Sequence, residues 1–122
     1  MKTLTAPKIS LDLLQEVLPT GQLVTHHKGD TLCTIHKKVK HLFWLIDGNL
    51  DFYTQQQNPQ QEIQVAHCEI PFTTLGWNGF FTPERYTFSA KIASDQARFY
   101  KVPLKDFKAD IPQVNSLLLT IG

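Results

Sequence analysis

The chain has 122 residues, of which 42% are hydrophobic and 19% are charged. This composition fits one globular domain over residues 1–122 and excludes a disordered chain. Twelve basic and eleven acidic residues leave a net charge of +1, without the clustered basic excess of a nucleic-acid-binding domain, so we expect no nucleic acid partner. No apolar run approaches the ~20 residues that cross a bilayer, and the first residues lack the apolar stretch of a signal peptide. We therefore predict a cytoplasmic protein with no membrane partner.

The first predicted element is a helix over residues 9–18. Leu11, Leu14 and Leu18 recur at helical spacing, and Ser10 can cap the helix N-terminus. The sequence Pro-Thr-Gly that follows ends this helix.

Short strands separated by turn residues are predicted from there to Val102. The predicted strands cover residues 22–26, 31–35, 41–46, 49–53, 62–69, 88–93 and 97–102. The third is the strongest, because its apolar residues are continuous, as in a strand that is buried on both faces. Asp47 and Gly48 after it indicate a sharp turn or bulge. Residues 55–61 are predicted to form a polar hairpin loop, and residues 71–84 an irregular segment.

Two helical segments close the chain, a short one over residues 103–107 and a second that begins at residues 111–119, with Pro112 in its first turn. Seven or eight strands between short helices predict a mainly β fold. We expect a double-stranded β-helix, that is, a jelly-roll β-roll with short flanking helices. Regular alternation of strands and helices is absent, which argues against a parallel Rossmann sheet.

Two local features bear on chemistry. The segment His36–His41 reads HKKVKH and is most simply a solvated loop, with a specific anionic partner as the alternative. Cys33 and Cys68 lie in strand-like segments without CxxC spacing, so we predict buried free thiols rather than a disulfide.

Several motifs occur together in a recognisable order. They are the segments Lys28–Leu32, Leu42–Tyr53, Leu75–Gly76, Arg85–Asp95 and Val102–Phe107. In this order the chain resembles the cyclic-nucleotide-binding domain of the catabolite-activator and anaerobic-regulator superfamily, from about Leu11 to Leu119. The resemblance implies that residues 76–93 form a phosphate-binding cassette. In the family a glycine starts a short turn, a following Glu bonds the ribose 2′-hydroxyl, and an Arg with a nearby Ser or Thr binds the cyclic phosphate.

The resemblance assigns a candidate ligand-binding set in this cassette. Gly76 matches the glycine, Arg85 matches the arginine, and Thr87 or Ser89 supplies the hydroxyl group. Trp77 stands where the acidic residue of the family would follow the glycine, and its indole cannot accept a hydrogen bond from a ribose hydroxyl. The ligand implied is a cyclic nucleotide or another small anion.

Each of these assignments has an alternative. Arg85 could be a surface residue paired with a carboxylate, and Glu84 could replace the missing acidic residue. Trp77, Phe80 and Phe81 could stack on a planar ligand, or they could belong to the core or to a partner-facing patch.

The sequence gives little support for an enzyme. Metal-dependent cupins share the jelly-roll architecture, but His26 and His27 are adjacent and should point to opposite faces of a strand. We therefore expect no metal site, and no motif for nucleophilic catalysis occurs.

We predict a regulatory sensor domain that binds a small-molecule effector, without catalytic activity and without a DNA-binding domain of its own. The alternative is a degenerate module that acts by protein contact, as a homodimer or with a partner protein, through the C-terminal helix at Leu117–Leu119. A cupin-like metal enzyme is the least favoured reading.

Overall fold

The computed structural model describes residues 10–57, 60–80 and 84–109. It contains two α-helices, eight strands and one 3-10 helix within these ranges. In chain order they are α1 (Leu11–Val17), β1 (Gln22–His27), β2 (Thr31–Cys33), β3 (His41–Asp47), β4 (Leu50–Gln57), β5 (Gln60–Cys68), β6 (Thr74–Leu75), the 3-10 helix (Trp77–Phe80), β7 (Ser89–Ile92), β8 (Gln96–Pro103) and α2 (Leu104–Ala109).

The strands form two antiparallel four-stranded sheets. One has the order β1-β8-β3-β6 and the other the order β2-β7-β4-β5. The pairing is nested, because β4 pairs with β5, β3 with β6, β2 with β7 and β1 with β8. This arrangement is a β-roll, and it confirms the predicted mainly β jelly-roll fold with short flanking helices.

Strand β3 is buried on both faces, as its continuous apolar sequence predicts. Leu42 and Trp44 belong to a core cluster that also holds residues of both helices, among them Leu14 and Phe107. The alternate residues of β3 belong to a second cluster with Leu50 and Ile92 of the other sheet. The side chains of β3 therefore contribute to both clusters of the core.

The chain turns sharply after β3. Gly48 has a φ of +100°, and the register of β3 against β8 shifts between Leu45 and Asp47. The sequence Asp-Gly thus marks both a turn and a bulge. Asp47 accepts a hydrogen bond from Arg98 Nε at 2.8 Å, which joins the two strands at this point.

The predicted polar loop over residues 55–61 is wrong in most of its length. Strand β4 continues to Gln57 and β5 begins at Gln60, with Gln55 opposite Glu62. Cross-strand pairing brings these polar residues into the sheet, because strand formation depends on neighbouring strands more than on the intrinsic preference of each residue.

Strand β2 is shorter than predicted, since it ends at Cys33 rather than at Ile35. The backbone N–H of Ile35 donates to Ser89 Oγ at 2.9 Å, and that of Lys37 donates to the carbonyl of Thr34 at 3.1 Å. These bonds turn the chain out of the sheet. Apart from β4, which extends four residues beyond its predicted end at Tyr53, the other predicted strand ends differ from the structure by at most two residues.

Both predicted flanking helices within the described residues are present. Ser10 caps α1, since its Oγ accepts a hydrogen bond from Leu13 N at 3.2 Å. The closing helix is α2. The second predicted helix, over residues 111–119, lies outside the described residues, as does the dimer contact predicted at Leu117–Leu119. None of the described helices is long and apolar enough to cross a membrane.

Both cysteines are free thiols. Cys33 is buried, whereas Cys68 is only partly buried. Burial raises the pKa of the Cys33 thiol to about 11, against the smaller opposing effect of a hydrogen bond from the backbone of Ala90. Cys33 is therefore protonated at neutral pH and poorly suited to act as a nucleophile.

Candidate ligand-binding site

Gly76 directly follows β6 and starts the candidate cassette. Its φ is +109°, in the left-handed region that favours glycine. A Cβ at this position would lie 2.5 Å from the carbonyl oxygen of His41 on β3. The fold alone therefore favours glycine at this position, whether or not a ligand binds, because the backbone passes close to the neighbouring strand.

The 3-10 helix after Gly76 packs against α2. The ring of Trp77 meets that of Phe107 edge to face, with centroids 5.5 Å apart. Phe107 also contacts Trp44 of β3, at 5.9 Å. A Cβ at Gly79 would collide with the side chain of Leu104, which shows how closely the two helices approach. The start of the cassette is therefore in direct contact with helix α2.

A cavity of about 330 Å³ lies beside this contact. Four aromatic residues line it, namely Phe52, Trp77, Tyr86 and Phe88. The rest of the lining consists of three threonines, Asn78, Leu75, Gly76 and Cys33. The rings of Phe52 and Phe88 meet edge to face at 6.4 Å. None of the described residues that line the cavity is charged. Its size falls in the range of small-molecule sites, and its walls favour a planar ligand.

Three of the five predicted site residues line this cavity, namely Gly76, Trp77 and Thr87. Thr87 Oγ1 accepts a hydrogen bond from Asn78 Nδ2 at 3.5 Å. Trp77 is 43% exposed, so its ring lies at the cavity mouth rather than deep in the core.

The other two predicted site residues are engaged elsewhere. Arg85 is exposed, and its Nη1 donates to the carbonyl of His36 at 2.9 Å. No carboxylate of the described residues forms an ion pair with it. Ser89 is only 5% exposed, and its Oγ accepts the bond from Ile35 N. Ser89 therefore joins β7 to the end of β2.

Tyr86, Phe52 and Cys33 also line the cavity, although no sequence motif indicates them. Tyr86 O–H donates to the carbonyl of His41 at 3.4 Å, and burial, with a smaller effect of Cys33, raises its pKa. Phe52 could have been found, because alternation along β4 turns it to the inner side of its sheet. Glu84 does not line this cavity but lies in a separate groove. The side chain of Phe80, and Phe81 altogether, lie outside the described residues.

The histidines are scattered. His26 packs edge to face on Phe99 at 5.9 Å, whereas its neighbour His27 is exposed. A hydrogen bond to Asp51 at 2.6 Å, and a second to Glu69 at 3.1 Å, raise the pKa of His67. Within the described ranges, no group of three His, Cys, Asp or Glu side chains is placed to hold a metal ion.

No protein-family model matches the sequence, and no curated protein matches it significantly. Solved structures do match. A transcriptional regulator from Thermotoga maritima is 18% identical with a TM-score of 0.71, over 88% of this chain and 82% of that one. The catabolite activator protein of Thermus thermophilus is 14% identical with a TM-score of 0.73, over 90% of this chain and 50% of that one.

A third match is the regulatory domain of Toxoplasma gondii PKA in a co-crystal structure with cAMP. It is 15% identical with a TM-score of 0.66, over 83% of this chain and 38% of that one. The chain has the fold of a cyclic-nucleotide-binding domain. The resemblance found in the sequence is confirmed for this fold. The chain spans only half the length of the catabolite activator protein. A shared fold does not determine which ligand is bound.

Proposed function

We propose that the chain is a regulatory domain that binds a small ligand in the cavity beside Trp77 and has no catalytic activity. One observation carries the proposal: Trp77 lines the cavity and at the same time packs on Phe107 of α2. A ligand that touches Trp77 would therefore act on helix α2. The ligand shifts the position of α2 only if its affinity differs between two states of the protein in which α2 takes different positions.

The aromatic walls support a planar ligand. A cyclic nucleotide has a planar base that can stack on such rings, and it also carries a phosphate that needs a cation. Arg85 is adjacent to Tyr86 of the cavity wall and would exchange the carbonyl of His36 for the phosphate. We therefore propose a cyclic nucleotide, or another small planar anion, as the effector.

The first prediction concerns Arg85. Calorimetry with cyclic AMP, cyclic GMP and cyclic dinucleotides should show binding of at least one of them. Arg85→Gln should lower that affinity about tenfold or more, because a hydrogen bond to a charged group contributes ~1.5–3 kcal/mol and 1.4 kcal/mol is tenfold.

Arg98→Gln is the matched control, because Arg98 is an exposed arginine whose guanidinium pairs with Asp47 on another part of the surface. It should leave the affinity unchanged. An unchanged affinity in Arg85→Gln would show that Arg85 does not contact the phosphate. No heat with any of these nucleotides at millimolar concentration would reject them as effectors.

A second candidate function is protein contact without a nucleotide. Arg85 and Ser89 already have backbone partners, and Phe88, Val65 and Ile70 are 47%, 48% and 71% exposed. Light scattering over a range of concentrations tests this function. A monomer at the highest concentration, together with no captured partner, argues against it.

We also propose a cytoplasmic location. The two free cysteines support it, because thiols remain reduced there. Recovery of the protein in the membrane or secreted fraction of cells would contradict this proposal.

A further inference from the structure

A second groove lies between the basic loop, residues 36–41, and helix α2. Its volume is about 390 Å³, and it shares no lining residue with the cavity beside Trp77. Val39 and Leu104 are buried, at 2% and 7% exposure, and they give the groove an apolar floor. This groove is thus a separate concave surface of small-molecule size.

The backbone on both sides of the groove is held in place by hydrogen bonds. The N–H of Leu104, the first residue of α2, donates to the carbonyl of Lys40 at 2.9 Å. The N–H of Val39 donates to the carbonyl of Glu84, also at 2.9 Å. The basic loop and α2 are therefore joined directly, so the backbone atoms that carry their side chains are held at a fixed distance across the groove.

The groove concentrates positive charge in a chain whose net charge is only +1. Its lining includes a single acidic residue, Glu84, and four lysines, namely Lys38, Lys40, Lys105 and Lys108. Of these lysines, the first three form no ion pair with any carboxylate of the described residues.

His41 also lines the groove, and one of the groove lysines, Lys40, contributes to its electrostatic environment. Its pKa is lowered first by burial and then by the charges of Lys101 and Lys40. Lys38 and Lys40 of the basic loop are exposed, and α2 adds Lys105 and Lys108, with charges of the same sign, across the groove.

We propose that this groove binds a small phosphate-bearing molecule. The lysine ammonium groups supply donors for phosphate oxygens, and the floor of Val39 and Leu104 accepts the apolar part of the ligand. A volume of about 390 Å³ suits a small molecule better than a folded partner, which would need a far larger surface. The proposal is independent of the ligand in the cavity beside Trp77.

The test uses calorimetry and NMR titration of the whole chain with inorganic pyrophosphate, ATP and uncharged adenosine. Pyrophosphate and ATP should bind, and adenosine should not. Pyrophosphate should shift the resonances of His41 and Leu104 but not the indole resonance of Trp77. A shift of Trp77 without one at Leu104 would place the anion in the other cavity and overturn the proposal.

Matched lysine variants decide whether the groove itself is responsible. Lys38→Gln with Lys105→Gln removes two charges from the groove, and affinity for pyrophosphate should fall at least tenfold. Lys28→Gln with Arg98→Gln removes the same charge from exposed positions outside the groove and outside the basic loop, and it should change the affinity less than twofold.

Equal losses in the two double variants would indicate a general electrostatic attraction and reject the site, as would an absence of binding. An acidic peptide or a single-stranded oligonucleotide that displaces ATP and binds more tightly would replace the small molecule with a macromolecular partner. That result would overturn the proposal.

Discussion

Of the three glycines with positive φ among the described residues, Gly76 and Gly29 lie in very different surroundings. Gly76 has a φ of +109° and lies against the backbone of β3, whereas Gly29 has a φ of +90° and nothing within 4 Å of its missing side chain. Any side chain at either position adopts a strained backbone. Only at Gly76 does it also collide with a neighbouring strand, so the two positions separate conformational strain from steric exclusion.

Gly76→Ala should therefore lower the free energy of unfolding more than Gly29→Ala. A residue forced into the left-handed region costs about 1–3 kcal/mol, and the Cβ at Gly76 adds a contact of 2.5 Å with the carbonyl of His41. Urea denaturation of the two variants measures the difference. Equal losses would show that the backbone at Gly76 moves away from β3 without cost.

At this scale the sequence predicted residue types better than residue roles. The pattern located Gly76, Arg85 and Ser89, but it did not show that Ser89 Oγ is used by the backbone of Ile35. That bond joins positions far apart in the chain, and no local spacing reveals it. Tyr86 was missed for the same reason, since its position in the cavity depends on strands that are distant in sequence.

Helix α2 has only six residues, too few to be stable alone. It depends on docking, mainly through Leu104 and Phe107, which are 7% and 3% exposed. It also borders both candidate sites, since Phe107 contacts Trp77 and Leu104 lies in the basic groove. A ligand bound at either candidate site would therefore lie next to α2.

Phe107→Ala should lower the free energy of unfolding by about 3–5 kcal/mol, as for other buried phenylalanines. Phe88→Ala is the matched control, because Phe88 is 47% exposed and should lose much less. Urea unfolding followed by circular dichroism provides the comparison. A loss at Phe107 no larger than that at Phe88 would mean that α2 adds little to the stability of the fold.

The elements themselves were largely predictable. Turn residues such as Asp47-Gly48 separate the strands, and a continuous apolar run marks β3 as buried on both faces. The hairpin of β4 and β5 was missed in part, because its glutamines have no strand preference of their own. Their pairing supplies what the local sequence lacks.

For the whole molecule, the number of strands followed from the sequence pattern, but their partners did not. Strand pairing over long separations leaves no periodic signal, and only the resemblance to a known fold indicated it. The linings of the apolar cavity and of the basic groove could not be predicted from the sequence for the same reason. Each draws its lining from segments that are far apart in the chain.

The nested pairing of the strands also has a consequence for the order of folding. Strands β4 and β5 are adjacent in the chain, whereas β1 and β8 lie at opposite ends of the described strands. Closing the innermost pair costs the least chain entropy, and each outer pair then closes a loop already shortened by the pairs within it. Folding should start at the β4–β5 hairpin and proceed outward.

Two identical substitutions test this order. Thr54→Gly lies in β4 and Thr25→Gly lies in β1, each within a strand interior where glycine costs roughly 0.5–1 kcal/mol. In stopped-flow kinetics, Thr54→Gly should mainly slow folding, and Thr25→Gly should mainly accelerate unfolding. The reverse pattern would mean that β1 and β8 pair first. If folding starts at the hairpin, as expected, the β1–β8 pair is the last to form and the first to open, so these two strands separate before β4 and β5 do.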